Sequence, residues 1–262
     1  MRIITFVNNK GGVGKTTSSQ NVAAALHSLG YSVLLIDMDS QASLTAACGV
    51  NSSLISGSVV DFMGGRRFSE LAEHLTNGLY LIPASNLMLD YQESLREHKE
   101  YPVLLRTALK RLNSSHPKAF EYVVIDCPPA LNVFTALALT AAQRFYVPMQ
   151  MEPLAFDGLV GLMEWITTNH LFEKFGGLFA TRYHPNASGK LPHEVMRMIQ
   201  KKYSKKLILP HIRQSLSLAR AQGMGLDVFS FDPHSNGAED YLTLARQIDR
   251  QMTQLEKSVS LS

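Results

Sequence analysis

Lys10-Gly11-Gly12-Val13-Gly14-Lys15-Thr16-Thr17 is the stretch on which the reading of this chain turns. An apolar run, Ile3-Ile4-Thr5-Phe6-Val7, precedes it. A helical pattern follows, with Val22, Ala25, Leu26 and Leu29 on one face and a stop expected at Gly30. Strand, glycine turn and helix in that order form the setting in which a glycine loop holds phosphate. Glycines let the backbone curl so that its N–H groups converge, and the helix N-terminus adds partial positive charge. In that setting Lys15 reaches the β- and γ-phosphates and the Thr16 hydroxyl ligates Mg²⁺. The alternative is a glycine-rich turn that binds nothing, and the flanking strand and helix speak against it.

Bulk properties narrow the class. At 262 residues, 45% hydrophobic and 18% charged, the chain suits one α/β domain spanning 1–262 with a sizeable core. A net charge of +3 neither demands nor excludes nucleic acid. No apolar run approaches the ~20 residues of a membrane span. The first strand begins almost at once, so neither a signal peptide nor an N-terminal helix-turn-helix domain is expected. Cys48 and Cys127 are far apart and form no C-x-x-C, as in a reduced, cytoplasmic protein without a cysteine metal site.

Further apolar runs end in carboxylates. Ser32-Val33-Leu34-Leu35-Ile36 reads as a buried parallel strand and leads into Asp37-Met38-Asp39-Ser40-Gln41. Carboxylates at the carboxyl end of a parallel strand lie where open α/β sheets bind ligands. An extended backbone turns Asp37 and Asp39 the same way. On its own D-x-D is equally well explained by turn chemistry, but beside the glycine loop it reads as part of the site. Tyr122-Val123-Val124-Ile125-Asp126-Cys127-Pro128-Pro129 repeats the design, and Asp126 at its tip suits a Mg²⁺-bound water. The two prolines turn the chain out of the sheet. Cys127 reads as a small packing residue rather than a nucleophile.

The remaining chain alternates similarly. Leu79–Pro83, Arg144–Pro148 and Leu178–Tyr183 read as strands. Residues 87–112 are helical with a break at Pro102, Phe134–Ala142 is an apolar helix, and a last helix runs from about Ala238 to Leu255. The expected fold is a doubly wound, mainly parallel β-sheet flanked by helices.

With Asn9 where the ordinary phosphate loop has glycine, and with Lys10 at the loop's start, the stretch resembles the deviant Walker A motif of the ParA/MinD group of P-loop ATPases. Asp37–Gln41 and Ile125–Pro129 resemble that group's two switch regions, with Ser40 in place of a proline. Gln150, Glu152 and Gly158-Leu159 also match. The resemblance covers nearly the whole chain and implies a Soj-like ATPase using ATP and Mg²⁺. It implies a homodimer closed around nucleotide, with Lys10 reaching across to the partner's phosphates. It assigns Asp39 to the attacking water, Asp37 to support of the Mg²⁺ site, and Pro210 to contact with the base. His211-Ile212-Arg213 departs from the group's Arg-Asn pair, so no base-reading polar residue is assigned.

Partners follow from the same resemblance: non-specific DNA and a ParB-like adaptor that stimulates slow hydrolysis, in a cytoplasmic, nucleoid-associated setting. Lys201, Lys202, Lys205 and Lys206, with Arg213 and Arg220 nearby, are the expected DNA contacts. By themselves they read as a solvated face, since Val195, Met198, Ile199 and Tyr203 mark the buried side of that helix. Three rivals remain. A membrane-cycling relative needs an amphipathic basic tail, and Leu255–Ser262 is short and polar. A metabolic phosphoryl-transfer enzyme has no use for Lys10, and an iron–sulfur carrier needs paired cysteines.

Overall fold

The apolar runs form parallel strands because both faces of each are covered. In the computed structural model these are β1 (Arg2–Phe6), β2 (Val33–Asp37), β4 (Tyr80–Ile82), β5 (Tyr122–Asp126), β6 (Arg144–Met149) and β7 (Phe175–Ala180). A two-residue strand, β3 (Glu73–His74), adds antiparallel to β4. The structure describes residues 1–97, 101–116, 119–152, 154–184, 190–204 and 207–260, with backbone alone at 190–193, 259 and 260. Among the described residues the sheet order is β3-β4-β2-β5-β1-β6-β7.

Helices cover both faces. One face carries α1 (Lys15–Ser28), α2 (Ser43–Ala47), α10 (Leu216–Gly223), α11 (Val228–Phe231) and α12 (Asn236–Ser260), packed on Phe6, Leu35 and Val124. The other carries α3 (Val59–Gly64), α4 (Phe68–Leu71), α5 (Met88–Glu97), α6 (Leu104–Ser115), α7 (Val133–Ala141), α8 (Ala155–Thr168) and α9 (Lys190–Lys202), packed on Val7, Ile36 and Val123. The expected doubly wound fold is the observed one. β1 lies between β5 and β6; its crossover runs toward β2 while those from β5 and β6 run the other way, which opens a crevice at its carboxyl end.

Local differences have local causes. The last helix is longer than the pattern indicates, because Arg2 holds its final turns through Asp249 and Glu256, both at 2.7 Å. β7 begins three residues earlier than read. Its Gly176 and Gly177 look like strand breakers, yet a Cβ at Gly176 would come within 2.5 Å of the Tyr146 ring. A Cβ at Gly177 would come within 2.6 Å of the Leu207 carbonyl oxygen, so close approach demands glycine there. In α9, Val195 and Ile199 are buried as expected, as is Tyr203 just past its end, whereas Met198 is exposed.

Candidate functional site

A cavity of about 510 Å³ opens at the carboxyl ends of the central strands. The glycine loop lies between β1 and α1 and forms one wall from Gly11 to Thr17. Gly12 (φ +72°) and Gly14 (φ +93°) take left-handed backbone that favours glycine, and Gly14 closes onto α1 there. Side chains from two other segments hold the loop, and Asn8, just before it, reaches out to a third. Thr181 Oγ1 donates to the Val13 carbonyl, Gln150 Nε2 to that of Gly12, and Asn8 Nδ2 to that of Pro148. Lys15, only 6% exposed, donates to the Lys10 carbonyl at 2.9 Å. Burial pushes its ammonium below the usual lysine range, opposed by Asp126 and Asp39.

Parallel pairing sets Asp126 beside Phe6 on one side and Asp37 on the other. Asp126 is fully buried and accepts from Thr16 Oγ1 at 2.7 Å and Ser19 Oγ at 2.9 Å. Its carboxyl is pushed up to about 7 by burial and then by repulsion from Asp37. Ser19 follows Thr16 by one helical turn, a spacing that could have identified it as the second donor. Cys127 is buried, with its thiol pushed up to about 12 by burial and its sulfur 3.2 Å from Thr5 Oγ1, the environment of a packing residue.

The two carboxylates after β2 do different work. Asp37 accepts from Asp39 N, Thr45 N and Thr45 Oγ1, so it fixes the turn that follows and does not line the cavity. Burial pushes its carboxyl up to about 6. Asp39 lines the cavity and closes a tight turn, accepting from Gln41 N on its side chain and Ala42 N on its carbonyl. Ser40 therefore sits in an ordered loop despite the missing proline.

Lys10 leaves the loop and pairs with Glu152 of its own chain, both side chains being about half exposed. Within the single chain it does not join Lys15 in the cavity lining.

The far wall differs from expectation. Pro210 is not part of the lining; Ile212–Leu216 is, with Leu218, Ala219 and Gln222 from α10. The reason is register. Ile208 bridges Leu178 within β7 and Arg213 bridges Tyr183 beyond its end, so the segment reaches the cavity two residues past the proline. Gln222 also accepts from Thr17 Oγ1, a contact between loop and α10 that no sequence signal announces.

The four described basic residues do not form one patch. Lys201 and Lys202 are exposed on the last turn of α9, and Lys205 and Lys206 lie outside the described residues. Arg213 is at the opposite, carboxyl end of the sheet, where it lines the nucleotide-sized cavity. Its guanidinium donates to both oxygens of Asp240 and to Glu239, and these partners push it above the usual arginine range. Arg213 thus ties this wall to α12 through Asp240 and Glu239. Arg220 is exposed on α10, beside the same wall.

With this geometry in view, similarity to known proteins is informative. A family model described as AAA domain matches residues 1–174. The chain is 30% identical over 253 residues to the chromosome-partitioning ATPase Soj of Treponema pallidum, spanning 94% of this chain and 96% of that one. It is 32% identical over 255 residues to the chromosome partitioning protein ParA of Caulobacter vibrioides, spanning 95% and 94%. A solved structure of cobyrinic acid a,c-diamide synthase from Mycobacterium smegmatis, with bound ATP analog and magnesium, matches with a TM-score of 0.81 at 27% identity. It covers 97% of this chain and 96% of that chain.

Proposed function

The chain belongs to the ParA/Soj-like partition ATPases of the AAA-domain family, and from that premise we propose that it is a DNA-partition or cargo-positioning ATPase. It binds Mg·ATP, dimerises around the nucleotide, holds DNA without sequence preference and lets go after adaptor-stimulated hydrolysis. The observation that carries this reading is a phosphate loop bearing two lysines held differently. Lys15 is buried against the Lys10 carbonyl of its own loop, whereas Lys10 is at the surface and, among the described residues, pairs with Glu152.

The site fits Mg²⁺ by the chemistry of its donors. A threonine hydroxyl and a buried carboxylate already meet at 2.7 Å, and the raised affinity of Asp126 for a proton marks a place where a cation is favourable. Thr16 and Asp126 would hold the ion, with Asp37 shaping the adjoining loop. When bound, Mg²⁺ neutralises charge on the β- and γ-phosphates. Lys15 and the loop N–H groups bind and orient those phosphates. Asp39 faces the cavity from a fixed turn and orients the attacking water. Lys10 exchanges Glu152 for the partner's phosphates and stabilises charge that develops as the bond breaks. Gln222 and the wall from Ile212 to Leu216 enclose the nucleoside.

The test combines size and turnover. Light scattering should show a dimer with Mg·ATP and a monomer with ADP, and DNA with a ParB-like adaptor should raise turnover. A monomer under all conditions refutes the reading. The likeness to cobyrinic acid a,c-diamide synthase supports a second reading, a metabolic phosphoryl-transfer enzyme. Turnover raised by a small-molecule acceptor such as cobyrinic acid, and indifferent to DNA, would establish it. The membrane-cycling alternative is less well supported. The last turns of α12 are tied to Arg2 through Glu256, and Leu255 packs against the core. No helix among the described residues is long and apolar enough to cross a membrane.

A further inference from the structure

The amino end of the sheet, opposite the nucleotide cavity, carries a second concave surface. A cavity of about 520 Å³ lies between α6, the end of α7 and a 3₁₀ turn at Phe172–Lys174. Met1, Arg106, Lys110 and Lys174 line it, and no Asp or Glu among the described residues does. Arg106 and Lys110 stand one helical turn apart on α6, are exposed, and make no ion pair among the described residues. Lys174 donates to the carbonyls of Leu139 and Thr140 at the end of α7. Its ammonium is held below the usual lysine range, first by burial and then by Arg106, with Glu173 opposing. An anion seated in this cavity would relieve the repulsion between Arg106 and Lys174.

The same 3₁₀ turn borders a second groove. Phe172, on its other side, meets Thr167, Lys202 and Tyr203 between α8 and α9, where Glu164 is the one carboxylate in the lining. Lys202 extends over the Phe156 ring, 5.8 Å from its centroid. Cations therefore occur on both sides of the turn, Arg106, Lys110 and Lys174 on one and Lys202 on the other, with exposed Glu173 in the turn itself. No aromatic ring among the described residues lines the first cavity, so a base entering it would find none of them to stack on. That favours a phosphate backbone over a free nucleotide. Phosphate and sugar groups take half to two-thirds of protein–DNA hydrogen bonds, and a row of long cations suits them better than a closed pocket.

We infer that this amino-end face, from Arg106 and Lys110 past Lys174 to Lys201 and Lys202, is a track for the phosphodiester backbone of duplex DNA. The inference rests on the proposed DNA binding and adds where the DNA lies. β1 spans five residues, so the two ends of the sheet are about 17 Å apart. That exceeds the Debye length of about 8 Å at physiological salt, so DNA on this face does not repel nucleotide at the other end.

The test is the salt dependence of duplex binding in Mg·ATP, measured by fluorescence anisotropy for four proteins. These are the wild type, Arg106→Ala/Lys110→Ala, Lys201→Ala/Lys202→Ala, and a control, Arg246→Ala/Arg250→Ala. The control removes the same charge from exposed positions on α12, which covers the other face. Each phosphate contact contributes about 0.9 to the slope of log affinity against log salt, so either track variant should flatten it by about 2 per protomer. The control should flatten it little. Alanine suits the exposed helical positions of α6, and unchanged ATP affinity and melting temperature would verify folding. A wild-type slope in Arg106→Ala/Lys110→Ala, or one equal to the control's, overturns the track. If Lys201→Ala/Lys202→Ala still flattens the slope, DNA binding itself stands and only its path is wrong. If the wild type binds no duplex, both fail together.

Discussion

The two ends of the cavity, which the proposed function assigns to phosphate and to base, are built in opposite ways. The phosphate end comes from one contiguous stretch, Gly11–Thr17, and the tips of β2 and β5, and its polar groups are tied to one another. Lys15 holds the Lys10 carbonyl, and Thr16 and Ser19 hold Asp126. The base end comes from Ile212–Leu216 and α10, some two hundred residues along the chain. Its brace, Arg213 on the buried Asp240 and the exposed Glu239, is only partly buried. Binding phosphate charge requires dipoles and cations fixed before the ligand arrives, because reorienting them costs part of the interaction. A wall against a nucleoside requires mainly shape, which distant segments can supply.

The largest effect expected is at Lys15. Lys15→Ala removes the buried cation of the phosphate end, and calorimetry should detect no ATP binding. Retained affinity would mean that the loop alone holds phosphate, and the contrast between the ends would collapse.

Next comes Lys10, a cation contributed in trans in the proposed mechanism. Comparable groups are worth about 10³–10⁵ in rate, so Lys10→Ala should lose adaptor-stimulated turnover while a monomer still binds ADP. Asp39→Ala should bind ATP, hydrolyse slowly and accumulate as dimer. Mixing the two should restore part of the activity, since one composite site then keeps both groups. No recovery from verified mixed dimers would assign Lys10 to its own chain.

A smaller effect sharpens the comparison directly. Asp240→Ala removes the main partner of Arg213 and should weaken ATP roughly tenfold while leaving inorganic tripolyphosphate unaffected. Tripolyphosphate reads the phosphate end alone, so an equal loss for both ligands would show that the ends are not separable.

The smallest effect concerns Glu152. An exposed ion pair contributes roughly 0.2–1 kcal/mol, so Glu152→Gln should lower the ATP concentration for half-dimerisation only about two- to fivefold. Sedimentation should show that difference vanish in high salt. A difference that survives high salt would assign Glu152 a role other than pairing with Lys10.

How much of this was legible in the sequence varies with how local its cause is. Thr16, Lys15 and Asp126 were readable because each sits at a fixed offset from a strand end. Pro210 was placed by its motif alone, yet the cavity is reached at Ile212, because a bridge register between distant residues decides which positions meet the ligand. Arg213 looked like part of a basic run, and only α12 shows it to be neutralised. β7 was misread because Gly176 and Gly177 lower strand propensity, while their real constraint is the crowding of Tyr146 and Leu207.

By itself, the sequence determined the strand–loop–helix at residues 2–28, the carboxylates at the tips of β2 and β5, and the alternation of helices and parallel strands. Backbone sterics at glycine and the period of apolar residues act over a few residues and need no distant partner. Only the tertiary structure decided that Asp37 shapes a turn while Asp39 faces the cavity, and that Lys10 rests on Glu152. The same is true of the far wall beginning at Ile212 and of Arg106 and Lys174 sharing a face. Each of these depends on sheet order and on packing between segments far apart in the chain, where burial and charge are set by neighbours that no local pattern encodes.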